Sequence, residues 1–195
     1  IFKSGQSWYD MALTVSDTDP NTLFVGVLDI WKSTDGGDNF TQINSWFLHN
    51  QAFTHADIHF MRYFDGVLYA GTDGGIYQSS DDGVNFEDLS TNLSIAQIYT
   101  ISVAKTTSTK IAGGLQDCGG FAFANNTWNS YHGGDGMGSA ISPSNEDLYY
   151  GFTQYGSNLT LTSTAGAGNS QFIASSPTKG EWVTPLVFNK NSELY

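Results

Sequence analysis

The sequence predicts an all-β fold made of repeated four-stranded units, and three observations lead to this prediction. Glycine is frequent, with 22 residues, and aromatic residues make up 14% of the chain. Charged residues make up only 13%, against roughly 25% in an average soluble domain. Short apolar segments alternate with turns rich in Gly, Asn and Asp, and a strand ending in glycine recurs about every 40 residues. Four short strands in such a period are typical of a β-propeller blade.

The first predicted blade covers residues 8–44. Its opening strand, 8–15, mixes Trp, Met, Leu and Val with a single acid, as a fully buried strand would. Asp, Pro and Asn at 17–21 then predict a turn. The second strand is expected at 23–27, the third at 30–33 after a turn near Asp29, and the fourth at 41–43 after an acidic turn.

Three more blades and the start of another follow. The second is predicted at 54–90, with its first turn at 65–66, and the third at 96–131, with strands at 97–104, 110–115 and 121–123. The fourth is predicted at 134–174, with a turn at 142–145, and residues 182–188 open a fifth within 181–195. Because a propeller has about four to eight closed blades, residues 1–195 are expected to be a partial propeller domain. The remaining blades would come from the same polypeptide or from a partner chain.

Charge and cysteine content restrict the functions. The formal net charge is −12 and the chain has only seven Lys and Arg residues, so a nucleic acid or an anionic membrane surface is a poor partner. No apolar run approaches the roughly 20 residues that span a bilayer. Cys118 is the single cysteine, which excludes an internal disulfide. Glycans, cations and basic proteins remain as partners.

Two acidic turns share one pattern of serine, aspartate, glycine and phenylalanine. A side-chain carboxylate can accept backbone N–H bonds within such a turn, glycine permits positive φ, and phenylalanine can anchor the turn to the sheet. A structural role for these residues is therefore expected. They are Ser33, Asp35, Gly37 and Phe40 in the first blade and Ser79, Asp81, Gly83 and Phe86 in the second.

These turns resemble the Asp-box (BNR-type) repeats of sialidases, sortilin-type ectodomains and xyloglucanase-type glycoside hydrolases. The runs WYDMALTVSDTDPNTLFVGVLDIWKSTDGG, HADIH, GTDGGIY, GGLQDCG and GGDGMG, in that order, resemble secreted, sortilin-like or xyloglucanase-like propeller proteins of Bacteroidetes. Phe40 and Phe86 stand where the motif usually has Trp. The resemblance implies a β-propeller from a secreted or cell-surface bacterial protein.

We expect the functional residues at the end of the blades opposite the acidic turns. There the turn after the second strand of each blade meets the start of a first strand, and the two together form a rim. We expect glycan or protein ligands to bind this rim, in preference to an enzymatic role. The candidate binding residues are His55, His59, Asp29, Gln116, His132, Asp135, Gln154 and Tyr155, and Asp10 occupies a similar position in the first blade.

The sequence offers a divalent metal as a candidate cofactor. His55, Asp57 and His59 alternate, so on a strand they would share one face, and imidazole and carboxylate suit zinc or similar ions. On a straight strand the three span about 13 Å, so a common ion would require a bend. The alternative is that they bond one another and the nearby backbone.

Glycoside hydrolysis is the alternative function. It requires two carboxyls about 5 to 10 Å apart, one with a raised pKa. The resemblance to xyloglucanase-type enzymes implies a catalytic Asp in a Thr-Asp-x-Gly-Gly turn, and Asp73 is the match, with Asp117 or Asp57 as its partner. A third possibility is a structural unit of a surface assembly.

Overall fold

The computed structural model describes residues 5–48, 52–189, 191 and 194–195. Across these residues the chain is all-β, with one 3-10 turn at Gln154–Gly156. Its strands form four four-stranded antiparallel sheets, and in each sheet the strands are neighbours in chain order. Such sheets are propeller blades, which confirms the predicted fold class. The chain divides into two compact units, Ile1–Leu93 and Ser94–Tyr195, each with two sheets.

The strands of the first unit are short and lie between Gly-rich or Asp-rich turns. The first sheet contains β1 (Ala12–Val15), β2 (Leu23–Gly26), β3 (Ile30–Ser33) and β4 (Thr41–Gln42). The second sheet contains β5 (Ile58–Phe64), β6 (Val67–Thr72), β7 (Gly75–Ser79) and β8 (Glu87–Asp88).

The two sheets of the first unit pack through one apolar cluster. Phe24, Ile30, Ile58 and Leu68 are fully buried in it. A Cβ atom on Gly26 would lie 2.4 Å from Ile58 Cγ2, so this glycine lets the second sheet approach closely. The Ile58 N–H also donates to the Val27 carbonyl at 2.7 Å, which fixes the start of β5 against the first sheet.

The prediction that residues 8–15 form a fully buried strand is wrong. β1 begins at Ala12, residues 5–9 form turns, and Leu13 is 62% exposed. Ala12 belongs to the buried cluster, so the alternation of a strand places Leu13 and Val15 on the opposite face. An apolar composition does not show which face of a strand a neighbouring sheet covers.

The strands of the second unit form two further meanders. The third sheet contains β9 (Ile98–Val103), β10 (Ile111–Leu115), β11 (Gly119–Ala124) and β12 (Thr127–His132). The fourth contains β13 (Gly136–Ile141), β14 (Tyr149–Thr153), β15 (Ser157–Thr162) and β16 (Gln171–Ala174).

Small residues bring the two sheets of the second unit together. Their shared core consists largely of alanines beside Tyr131, Ile141 and Tyr149. A Cβ atom on Gly114 would lie 2.0 Å from the Met137 carbonyl oxygen, and one on Gly136 would lie 2.0 Å from the Gly119 carbonyl oxygen. The backbones of neighbouring blades therefore touch at these glycines.

Residues 182–188, expected to open a fifth blade, form no strand. Within the described part of the chain, their sheet-like contact is an isolated bridge between Phe188 and Leu194. Tryptophan, valine and leucine give this segment strand propensity, but propensity needs a paired neighbour to form a strand. Residues 190, 192 and 193 lie outside the described part of the chain.

Candidate functional site

The two acidic turns hold the same hydrogen-bond network. In the first, the Ser33 hydroxyl donates to Asp35 Oδ1 at 2.8 Å and accepts from the Gly37 N–H at 3.0 Å. In the second, Ser79 makes the same two bonds to Asp81 and Gly83, each at 2.8 Å. Gly37 and Gly83 have φ of 99° and 86°, where a side chain would be strained. These side-chain bonds lie within the turns themselves.

An asparagine that the sequence reasoning missed completes each network. Asn39 donates its N–H to Asp35 Oδ1 at 2.9 Å and its side-chain amide to Oδ2 at 2.8 Å, and Asn85 does the same for Asp81. These hydrogen bonds to the charged form lower the pKa of both aspartates to about 2. The signal was present in the sequence, because both turns have Asn directly before Phe.

The start of the second blade departs from the predicted strand. β5 begins only at Ile58, and Asp57 lies in the left-handed region with φ of 63°. His55, Asp57 and His59 therefore do not share one face of a strand, which corrects the geometry on which the predicted metal set was based. His55 Nδ1 lies 3.3 Å from the Ala56 carbonyl oxygen, and His59 turns to another partner.

Asp73 and His59 are in hydrogen-bond contact at the turn after β6. His59 Nε2 lies 2.8 Å from Asp73 Oδ1, and the Tyr9 ring packs edge-on against the imidazole at 5.1 Å between centroids. The Asp73 N–H donates to the Asp57 carbonyl at 3.3 Å, and carboxylate oxygens of Asp57 and Asp73 lie within 4.8 Å of each other. The turn after the second strand and the start of the first strand thus meet in this blade.

Asp10 adds a third carboxyl group beside those of Asp57 and Asp73. It is fully buried, and the Gln6 side-chain amide donates both to its Oδ2, at 3.1 Å, and to Asp57 Oδ1. Burial first, and then the neighbouring carboxyls of Asp10 and Asp73, raise the pKa of Asp57 to about 6. We call Asp10, Asp57 and Asp73, together with His59, the acid cluster.

Asp29 was expected to bind ligand. In the structure, both of its carboxylate oxygens accept hydrogen bonds. Oδ1 accepts the Trp46 N–H at 2.9 Å and Oδ2 accepts the Gln42 amide at 3.1 Å. Burial raises the pKa of this carboxyl. Asp29 therefore holds the chain after β4 against its own turn.

In the second unit, three predicted residues form a chain of hydrogen bonds. The Asp117 N–H donates to Asp135 Oδ1 at 3.0 Å, and the Asp135 N–H donates to Gln154 Oε1 at 3.3 Å. Asp117 has φ of 56°, which places it at the tip of the turn between β10 and β11. The structure thus brings Asp117, Asp135 and Gln154 together, while Asp73 and Asp57 belong to the first unit.

Gln116 and Tyr155 belong to an aromatic cluster beside this chain of bonds. Tyr99 donates its hydroxyl to Gln116 Oε1 at 2.8 Å and accepts the Trp182 indole N–H at 3.1 Å. The Trp182 and Tyr155 rings meet edge to face at 5.1 Å, and Lys179 Nζ lies 3.7 Å from the Tyr155 ring centre. Trp182 remains 38% exposed. Sequence reasoning missed Tyr99, Lys179 and Trp182 because they are distant in the chain from Gln116.

His132, another predicted binding residue, fills a space between the two sheets of the second unit. Cβ atoms on Gly120 and Gly151 would lie 2.1 Å and 2.6 Å from its Nε2. Burial lowers the pKa of the imidazole, and its Nδ1 lies 3.0 Å from the Gly133 carbonyl oxygen. A packing role therefore accounts for its surroundings.

Comparison with known proteins gives structural neighbours alone. No protein-family model matches the sequence, and no curated protein matches it. A solved structure of YCF48 bound to a D1 peptide is similar over 94% of this chain and 58% of that chain, with 13% identity and a TM-score of 0.38. The GH74 enzyme of Niastella koreensis is similar over 83% of this chain and 29% of its own, with 18% identity and a TM-score of 0.34.

A third neighbour is the extracellular domain of a putative hybrid two-component system from B. thetaiotaomicron. It is similar over 95% of this chain and 25% of that chain, with 12% identity and a TM-score of 0.37. The chain thus spans less than two thirds of the length of each of these three proteins. Similarity of this degree says nothing of an activity, a ligand or a partner. No helix in the described residues is long and apolar enough to cross a membrane.

Proposed function

We propose that this chain is a binding module of a secreted or cell-surface propeller protein, and that it binds a glycan at the aromatic cluster. One observation carries the proposal: a partly exposed indole, Trp182, stands beside Tyr155 and is held by a hydrogen bond to Tyr99. Aromatic faces stack on sugar rings, and fixed polar groups beside them select the orientation of the ligand.

Preorganisation favours this site. The bond from Trp182 to Tyr99 and the bond from Tyr99 to Gln116 fix two rings relative to β9 and to the turn after β10. A ligand that meets ordered side chains loses less conformational entropy on binding. The low content of basic residues, seven in the whole chain, is compatible with a neutral ligand.

The test is a glycan array followed by calorimetry with any glycan that binds, using the wild type and two tryptophan variants. Trp182→Ala is expected to weaken binding at least about tenfold, the effect of losing a central aromatic contact. Trp128→Ala is the matched control, because Trp128 is an exposed tryptophan of the same unit that packs on Phe123. Equal binding by both variants would contradict the proposal. Binding to a protein in place of any glycan would favour the protein-ligand alternative.

Glycoside hydrolysis at the acid cluster is the second candidate, and the observation in its favour is the Asp57–Asp73 pair. Their oxygens lie at most 4.8 Å apart, a spacing nearer the roughly 5 to 5.5 Å of retaining enzymes than the roughly 6.5 to 9.5 Å of inverting ones. The raised pKa of Asp57, about 6, suits a proton donor, and Asp73 would be the nucleophile. Release of reducing ends from β-glucans should then disappear in Asp57→Asn and Asp73→Asn and persist in the turn variant Asp65→Asn.

A further inference from the structure

The buried carboxylate of Asp10 lacks part of its expected solvation. Its Oδ1 is buried and receives no hydrogen bond from the described residues, while Oδ2 has the Gln6 amide at 3.1 Å. A buried ionised carboxylate is strongly unfavourable unless hydrogen bonds or a positive charge compensate it. A nearby cation or a proton would therefore stabilise this buried carboxyl group.

The basic side chains described in the first unit do not supply that charge. Lys32 and Arg62 are the Lys and Arg residues within 5–48 and 52–93. Lys32 Nζ pairs with Asp82 at 3.6 Å, and the Arg62 guanidinium lies 5.0 Å from the Phe64 ring centre. His59 Nε2 faces Asp73. Three carboxyls thus meet beside the imidazole of His59, which contacts Asp73, and near that of His55, which interacts electrostatically with Asp57.

We propose that the acid cluster binds a divalent cation, calcium by its donor chemistry, through Asp57 and Asp73, with the buried Asp10 supplying further negative charge beside Asp57. Calcium lies 2.3 to 2.6 Å from its oxygen ligands, so two ligands of one ion can be up to about 5 Å apart. The oxygens of Asp57 and Asp73 are within 4.8 Å of each other.

Two further observations agree with a cation here. The carboxyl of Asp57 lies within hydrogen-bonding distance of that of Asp10, and the Gln6 amide donates to both. A bound cation would relieve the repulsion among the three carboxylates. Asp57 is half-buried and Asp73 is exposed, so the cation would have solvent access on the Asp73 side.

The donor set favours calcium over zinc or magnesium. The available ligand atoms are carboxylate oxygens, and His59 Nε2 already contacts Asp73. Calcium accepts irregular sets of oxygen ligands with waters, whereas magnesium requires near-octahedral geometry. This ligand set differs from His55, Asp57 and His59, and it is separate from the glycan site proposed in the second unit. It is incompatible with hydrolysis by Asp57, because a carboxylate that binds calcium does not hold a proton.

The test measures calcium binding by the whole chain at pH 7.5, using calorimetry and thermal melting with CaCl₂ or MgCl₂ up to about 10 mM. That concentration exceeds the roughly 0.1 to 1 mM dissociation constants of extracellular calcium modules. Calcium should raise the melting temperature of the wild type and of the control variant Asp65→Asn, whose carboxyl lies in the turn between β5 and β6. Asp57→Asn and Asp73→Asn should each weaken binding at least about tenfold. Asp10→Asn should melt higher than wild type without calcium, because it removes a buried charge.

Three outcomes would overturn the proposal. The first is a wild type that gives neither binding heat nor a melting shift with calcium, a result that needs no variant. The second is an Asp65→Asn protein that loses as much affinity as Asp57→Asn. The third is a melting temperature that rises when the pH is lowered to 5 but does not respond to calcium, which would mean that Asp10 and Asp57 share a proton. Far-UV circular dichroism checks that each variant is folded.

Discussion

The imidazole of His132 occupies the space that a side chain at Gly120 would need, since a Cβ atom at that position would lie 2.1 Å from His132 Nε2. Gly120 is the second residue of β11 in the third sheet, and His132 ends β12 beside it. Gly151 of the fourth sheet leaves room for the same ring. The histidine is thus a spacer between two blades, and glycine on each sheet makes its position possible.

Replacing Gly120 by alanine should therefore destabilise the second unit. The new methyl group would force the His132 ring to move, and overpacking of this kind costs about 1 to 3 kcal/mol in the free energy of unfolding. Gly133→Ala is the matched control, because its added Cβ would meet no atom within 4 Å. Urea unfolding measures both variants. Equal stability of the two would show that the ring has other space available.

The pH dependence of stability provides a second prediction about His132. Burial lowers the pKa of its imidazole in the folded chain, whereas an unfolded histidine titrates near pH 6.5. Below that value the unfolded state binds more protons, so stability from the neutral ring is fully present above about pH 6.5. It is lost as the pH falls from there through the folded pKa.

The measurement compares urea unfolding of the wild type and His132→Gln at pH 7.5 and pH 5. Glutamine does not titrate, so the variant should lose less free energy of unfolding over this range than the wild type does. Carboxyl groups that titrate in the same range, Asp57 among them, are common to both proteins. Their contribution cancels when the loss measured for the variant is subtracted from the loss measured for the wild type. Identical losses would contradict the burial argument.

The buried serine of each acidic turn leads to a third prediction. Ser79 is 2% exposed, and its hydroxyl satisfies the Gly83 N–H and the Asp81 carboxylate. Ser79→Ala leaves a buried N–H without an acceptor, which should cost about 1 to 3 kcal/mol. Ser80→Ala alters an exposed neighbour and should change stability by less than about 0.5 kcal/mol. Thermal unfolding distinguishes the two variants. A Ser79→Ala protein as stable as the wild type would mean that the turn forms without the serine hydroxyl.

What could be predicted from the sequence was local. The acidic turns were predictable because the side-chain hydrogen bonds of their recurring serine and aspartate join residues at most four apart, as from the Asn85 N–H to Asp81. The blades were predictable because each strand pairs with the next along the chain. The covered face of β1 was not predictable, because it depends on a sheet whose first strand starts more than 40 residues later at Ile58.

The candidate sites show the same limit. Asp73 and Asp57 were identified by their positions in the repeat, but the left-handed conformation of Asp57 removed the alternation on which the metal prediction depended. Asp10 meets Asp57 through tertiary packing, and Trp182 reaches Tyr99 across 83 residues. No local pattern encodes contacts of this length.

The turn between β11 and β12 leads to the last prediction. Asn125 and Asn126 have φ of 52° and 62°, and the strands pair directly on either side, with Ala124 opposite Thr127. A two-residue hairpin loop with both residues at positive φ is a type I′ turn, which favours Asn followed by Gly. The hairpin thus takes the place that an acidic turn has in the first two blades.

Asn126→Gly should therefore preserve or raise stability, whereas Asn126→Ala should lower it by about 1 kcal/mol, since alanine pays the steric cost of the left-handed region. The two variants remove the same side-chain amide. The difference between their free energies of unfolding therefore reports the backbone cost of the left-handed conformation, separate from any loss of hydrogen bonding. Urea unfolding followed by tryptophan fluorescence suits the measurement, because Trp128 follows the turn on β12. If the alanine variant were as stable as the glycine variant, the left-handed conformation at this position would not limit the stability of the hairpin.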